Sequence, residues 1–237
     1  MTTVPRTPRQ GSLLRRARAV VVALVALVAL APAASTARAR AGASESPAAK
    51  RERGLMAVAA VGLDGCTGRQ CQNTYPLLYT RLHAAFRALP YLAAGVHLTF
   101  NFLAPDFPMG GGRVEFWELF VGPEVRGLLP LRRFDVWAGF ALGYHRSYRL
   151  VDSDGHRIES ATNAFGLAWG LGLDYYLVAS KHGSLAVGGD LWFYKPFPTR
   201  LCSTIGANPT VCVDSGIAEQ FGVTYAAGFT FTWFLSL

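Results

Sequence analysis

From Phe221 to Leu237 every second residue is apolar or aromatic: Phe221, Val223, Tyr225, Ala227, Phe229, Phe231, Trp233, Leu235 and Leu237. The residues between them are mostly small or mildly polar, with Gly222, Thr224, Gly228, Thr230, Thr232 and Ser236 among them. Side chains on a strand alternate faces with a period of two, so this stretch is one strand with a greasy face and a small, polar one. Its 17 residues far exceed the roughly five or six usual in soluble domains. A strand that crosses a membrane needs roughly 9–11 tilted residues and alternates apolar-out with polar-in.

The same alternation divides residues 54–237 into eight segments. They run over Gly54–Asp64, Tyr79–Leu89, Tyr91–Leu103, Arg113–Gly127, Phe134–His145, Phe165–Leu177, Leu185–Tyr194 and Phe221–Leu237. The first is an Ala/Val run whose two faces cannot be told apart. Short turns are predicted at Leu89-Pro90, Leu128–Arg133 and Ala179–Ser184. Long polar loops are predicted at Gly65–Pro76, Ala104–Gly112, Ser147–Ser160 and Lys195–Gly216. Pro123 falls inside the fourth segment. Proline removes a ladder donor, which predicts a bulge or strand end there.

Charge settles which face meets what. From the second segment onward, Arg81, Arg87, Glu118, Glu124, Arg126, Asp135, Asp174 and Asp190 all fall on the face opposite the large apolar residues. An Arg or Lys facing lipid at the midplane costs about 2–4 kcal/mol, whereas a soluble barrel puts its charges outside. The chain is 51% hydrophobic and 16% charged, against about 25% charged in soluble domains. After the N-terminal region no apolar run is long enough for a spanning helix. The predicted fold is therefore all-β: an eight-stranded antiparallel up-and-down transmembrane β-barrel over residues 54–237.

The N-terminus reads as a cleaved signal peptide over residues 1–39. Arg6, Arg9, Arg15, Arg16 and Arg18 precede the apolar run Ala19–Ala31, and small-residue cleavage sites follow at Ala31-Pro32-Ala33 or, better placed before the polar stretch, Ala37-Arg38-Ala39. Residues 40–53 read as a disordered periplasmic lead-in. Six of the 23 basic residues and none of the 15 acidic ones lie in 1–39, leaving 17 against 15. The high pI of 9.6 thus belongs largely to the signal, and nothing suggests nucleic-acid binding.

These segments, with the terminal run Phe229, Phe231, Trp233, Leu235 and Leu237, resemble the small eight-stranded outer-membrane barrels of the OmpA/opacity-protein type. The resemblance implies residence in the bacterial outer membrane and contact with its lipid and lipopolysaccharide. It also implies a monomer whose last strand is recognised by the barrel-assembly machinery. That family commonly ends in Phe or Trp, whereas this chain ends in Leu237.

An eight-stranded barrel is just wide enough for its own side chains. The eight inward charges, with His83 and His97 nearby, are expected to form a buried ion network that plugs the lumen, because buried charges persist only when paired. Inward Trp137, Trp192 and Phe120 add bulk. Inward glycines (Gly139, Gly166, Gly170, Gly172 among them) leave room for the alternative, a narrow channel or transporter for small or hydrophobic solutes. Cys66, Cys71, Cys202 and Cys212 are expected to form local disulfides, 66 to 71 and 202 to 212, in external loops of an exported chain. Their spacing does not suit a metal, and no cofactor is implied. Asp152-Ser153-Asp154-Gly155 with Glu159 reads as a turn, not a calcium loop. His145, Ser147 and Glu159 match in type the His/Ser/Glu triad of outer-membrane lipid A deacylases, a remote hydrolase alternative. Tyr75, Tyr79, Phe107, Tyr144 and Tyr148 are expected in an external aromatic girdle. Arg69, Arg146, Arg149, Arg157 and Arg200 are expected above it, facing lipopolysaccharide phosphates.

Overall fold

A computed structural model describes residues 53–67, 74–105, 113–153, 156–180, 182–206, 208–214 and 222–237. The predicted signal and all of the lead-in except Arg53 lie outside these. The elements are β1 (Gly54–Cys66), β2 (Thr74–Leu89), β3 (Leu92–Pro105), β4 (Arg113–Leu131), β5 (Phe134–Ser153), β6 (His156–Ser180), β7 (Gly183–Ile205), β8 (Val211–Asp214) and β9 (Thr224–Ser236).

Each strand pairs antiparallel with its sequence neighbour from β1 to β7, β7 and β1 both pair with β9, and the ring is closed. Eight strands enclose the lumen, and β8 is a short addition to the outer end of β7. Closure leaves no strand edge exposed to hydrocarbon, where an unpaired backbone group has no water to turn to.

The alternation read from the sequence is the inside–outside code of this ring. Val96, Val125, Phe140, Leu171, Phe229 and Phe231 are exposed on the outer surface. All eight predicted inward charges are buried, the most exposed being Asp190 at 7%. A soluble barrel has the opposite arrangement. On β5 the outward side chains from Val136 to Tyr144 are apolar or aromatic. At about 3.3 Å per residue and a tilt of about 40°, the stretch up to Arg146 spans roughly 25 Å, the height of a bilayer-facing band. Rings mark both borders. Phe100, Trp117 and Tyr148 stack at the outer one, with centroids 5.7 and 5.5 Å apart. Phe134 packs on Tyr175 at the other, 5.0 Å away. This is a membrane-spanning barrel.

The first strand, ambiguous from composition, turns Met56, Val58 and Ala60 inward and Leu55, Val61 and Leu63 outward. Part of the lumen wall is therefore apolar.

Several predicted boundaries are too short. The predicted turn Leu128–Arg133 is mostly strand: β4 continues to Leu131 and buries Leu128 inside. The predicted loop Ser147–Ser160 is largely paired, with Ser147↔Thr162 and Ser153↔His156 in register. Much of Lys195–Gly216 is strand as well, in β7 and β8. Beyond the bilayer both faces meet water, so the apolar/polar alternation that marks a strand in lipid disappears while the backbone ladder continues. Nor is Pro123 at a bulge or strand end. It pairs with Val96 on β3 without a register shift. On the β5 side the pairing lapses only between Val121↔Tyr144 and Glu124↔Ala141, and the register resumes unchanged. The missing donor costs a local gap in the ladder.

Cys202 and Cys212 form the local disulfide, bridging the paired strands β7 and β8. Cys66 is also disulfide-bonded, and Cys71 lies outside the described residues.

Leu171 lies on the outer wall near mid-height, paired with Ala138. Leu171→Arg is expected to destabilise the barrel by about 2–4 kcal/mol, read as a lower denaturant midpoint for unfolding from lipid vesicles. Asn163→Arg, on the same outward face of β6 but level with Arg146 at the headgroups, is the control expected to change the midpoint little.

Candidate functional site

The lumen is where chemistry-bearing side chains converge, and they do so in layers. Near the end that carries the short turns, Arg87 donates from Nη1 to Asp135 Oδ2 at 2.7 Å and from Nη2 to the carbonyl of Pro90. Tyr176 adds its hydroxyl to the same carboxylate oxygen at 2.8 Å. Asp174, directly across from Asp135 in the β5–β6 register, accepts from Thr230 and Thr232 at 3.0 and 3.1 Å.

In the middle, Arg126 donates to Glu124 Oε1 from Nε at 2.9 Å, with Nη2 2.8 Å away. Its guanidinium lies 3.9 Å above the Trp137 ring centroid. The other oxygen of Glu124 accepts from His97 Nδ1 at 2.8 Å, and His83 Nε2 stands 3.6 Å off. A carboxylate only accepts, so Nδ1 of His97 carries the proton, and its Nε2 accepts from the hydroxyl of Thr99 or Tyr194 at 2.6 or 3.1 Å. Alongside, Arg81 binds Asp190 Oδ2 through Nε at 3.0 Å and Nη2 at 2.5 Å. It also donates to the Tyr79 hydroxyl at 3.0 Å.

Aromatic rings fill what the ion pairs leave. Trp192 lies 5.8 Å from Trp137, 4.4 Å from His97 and 6.3 Å from Tyr194. Phe120 closes on Tyr194 at 5.6 Å. The inward glycines belong to this layer. A Cβ at Gly170 would lie 2.4 Å from Trp192, at Gly172 2.4 Å from Trp137, and at Gly139 2.9 Å from Trp192. Their missing side chains are the space the indoles occupy.

Beyond the aromatic layer, towards the long connections, the lumen is again polar. Asn101, Glu118, Ser147 and Thr162 occupy consecutive partner positions across β3, β4, β5 and β6. All four are buried, as is His145. Glu118 Oε2 accepts from the Thr224 hydroxyl at 2.7 Å and lies 3.8 Å from His145 Nε2.

The structure thus pairs Arg81 with Asp190, Arg87 with Asp135 and Arg126 with Glu124. It leaves Asp174 and Glu118 on hydroxyls. Several partners were missed from the sequence: Tyr79, Thr99, Tyr176, Tyr194, Thr224, Thr230 and Thr232. Each sits on an inward position of its strand, so parity alone carried the signal. Tyr79 corrects the predicted girdle, for it is fully buried on the inner wall. Tyr144 and Arg146 do face out, the latter 5.9 Å over the Trp117 ring. Arg157 is engaged by Glu159. Arg69 and Phe107 lie outside the described residues.

The triad of His145, Ser147 and Glu159 is not assembled. Glu159 opposes Leu150 on β5 and is held by Arg157, while His145 opposes Ala164 and faces Glu118. Among the described residues no group of three or more His, Cys, Asp and Glu side chains converges to hold a metal ion.

Comparison with known proteins agrees with this fold. A major outer membrane protein from Thermus thermophilus superposes with a TM-score of 0.53 at 14% identity, over 76% of this chain and 98% of that one. Neisserial surface protein A gives 0.47 at 12% identity, over 77% and 97% of the two chains. OprG from Pseudomonas aeruginosa gives 0.46 at 12%, over 77% and 98%. At 14% identity the first of these likenesses speaks to fold alone. No protein-family model matches the sequence. No curated protein matches it either. Fold and lumen together define the class: a membrane-spanning eight-stranded β-barrel of the outer-membrane type.

Glu124→Ala strands the buried Arg126 and is expected to cost about 3–5 kcal/mol. Combining it with Arg126→Met, which removes the orphaned charge, is expected to recover a large part of that loss. Urea unfolding followed by tryptophan fluorescence checks both.

Proposed function

We propose that this chain is a surface-exposed structural or interaction protein of the bacterial outer membrane whose lumen is closed. The observation that carries the reading is the filled cross-section at mid-height. Two arginine–carboxylate pairs (Arg81–Asp190 and Arg126–Glu124), two tryptophans, Phe120, Tyr194 and His97 interlock there, all buried. A conduit needs a continuous hydrated path. The glycines that would have supplied one are instead filled by indole rings. What remains available for recognition is the outer rim. There β5, β6 and β7 rise beyond the apolar band as paired strands, with β8 and the Cys202–Cys212 bridge stiffening the far end.

Partners follow from the same surface. Arg146, outward and stacked over Trp117 at the headgroup level, suits the phosphate of an outer-leaflet lipid or lipopolysaccharide. The exposed aromatic face of β9 suits recognition by the assembly machinery, and the chain acts as a monomer.

Planar-bilayer recording tests the closed lumen. The wild-type barrel is expected to give no conductance steps, and Trp137→Ala combined with Trp192→Ala is expected to give small ones. Regular steps from the wild type would favour transport and end this reading.

A further inference from the structure

The outward face of β5, β6 and β7 changes character rung by rung where it leaves the apolar band. One rung joins Tyr144, Phe165 and Phe197, with the last two rings stacked at 6.4 Å. The next joins Arg146 to Asn163, and Arg200 follows at the next partner position. Beyond it come Tyr148, Ala161 and Cys202, then Leu150, Glu159 and Thr204. A groove of about 250 Å³ opens on these outer rungs, lined by Arg146, Tyr148, Glu159, Ala161, Cys202 and Thr204 among others. Small Ala161 is its floor, between Tyr148 on one side and the Cys202–Cys212 bridge on the other. That volume lies just below the roughly 300–1,000 Å³ of small-molecule pockets, the scale of one sugar ring.

The polar groups along this face differ with position. Arg146 is exposed, lies over the Trp117 ring and forms no ion pair among the described residues. Asn163, also exposed, receives the Tyr144 hydroxyl on Oδ1 at 2.6 Å, which leaves its amide N–H groups to donate. A guanidinium beside an amide donor at the headgroup level suits a phosphate. Roughly 13 Å farther along β6, Glu159 offers other chemistry. Arg157 donates to it from Nε at 2.7 Å and from Nη2, both to Oε1. The carboxylate charge is thereby balanced, and Oε2 is left to accept from a hydroxyl. The Tyr148 ring and the Thr204 hydroxyl, bonded to Thr210 at 2.7 Å, border the same space. An aromatic ring, a carboxylate oxygen and hydroxyls hold a sugar better than they hold an acyl chain. From this order we infer that the outward face of β5–β7 binds the phosphorylated sugar headgroup of lipopolysaccharide. Its acyl chains lie on the Tyr144–Phe165–Phe197 rung and the apolar wall, a phosphate sits at Arg146 and Asn163, and a glucosamine ring fills the groove. A glycerophospholipid matches the first two positions and has nothing to place in the third. The inference rests on reading the chain as a surface protein of the outer membrane and narrows its lipid partner to one class; it does not depend on a closed lumen.

The test is native mass spectrometry of the full-length chain refolded in detergent, its folded state verified by heat-modifiable gel migration, with diphosphorylated lipid A and phosphatidylglycerol as probes. The wild type is expected to bind lipid A at least about tenfold more tightly than phosphatidylglycerol. Ala161→Trp, which fills the groove, is expected to abolish that preference while phosphatidylglycerol binding stays unchanged. Arg146→Ala combined with Asn163→Ala is expected to weaken both lipids about tenfold. A folded wild type that binds the two lipids equally overturns the site, whether or not the variants fold, and leaves the surface-protein reading standing. Lipid A binding undiminished by both the groove and the phosphate variants overturns it as well. Conductance steps in the planar bilayer would end the closed lumen and leave this site intact.

Discussion

A backbone surrounded by hydrocarbon has to satisfy every N–H and C=O within itself, and this chain does so by closing β1 onto β9 and β9 onto β7. Once the ring is closed, each strand residue has only two destinations, lipid or lumen. An eight-stranded ring leaves a narrow interior, so the inward residues must fill it as a core would. Polar side chains can do that only by answering one another. The Arg126–Glu124–His97 chain and the Arg81–Asp190–Tyr79 cluster are therefore consequences of closure as much as of any particular role.

The interior is not uniform along its height. Its inner end pairs two aspartates with one arginine and two threonines. Its middle stacks guanidinium groups on indoles, where cation–π attraction and desolvation act together. Its outer end carries the Glu118 carboxylate with the Thr224 hydroxyl on one oxygen and the His145 imidazole 3.8 Å away. The barrel interior is thus packed with aromatic rings and ion pairs in the middle and polar at both ends.

How much of this was legible in the sequence depended on where a residue sits. Within the bilayer the code has two letters and is enforced by a steep energetic penalty, so Arg81, Glu118, Asp174 and their companions could be assigned inward from parity alone. The pairing among them could not, because partners such as Tyr79 and Asp190 are 111 residues apart in the chain and meet only when the ring closes. Tyr79 looked like a girdle residue because it precedes the charged part of β2. Its parity, shared with Arg81, was the better guide. Composition also hid the faces of β1, since alanine and valine tolerate either side. Outside the bilayer the code stops: Ser147–Ser153 and His156–Ser160 read as loop, yet lie in paired strands.

The described strands differ in length around the ring. β1 and β9 have 13 residues each, while β6 and β7 have 25 and 23. A wall built taller on one flank gives the molecule a front and a back in the plane of the membrane. Neighbours arriving on the low flank meet, among the described residues, little beyond the membrane-spanning wall. Those arriving on the high one meet a stiff parapet first, so crowding alone would orient the protein within a packed bilayer.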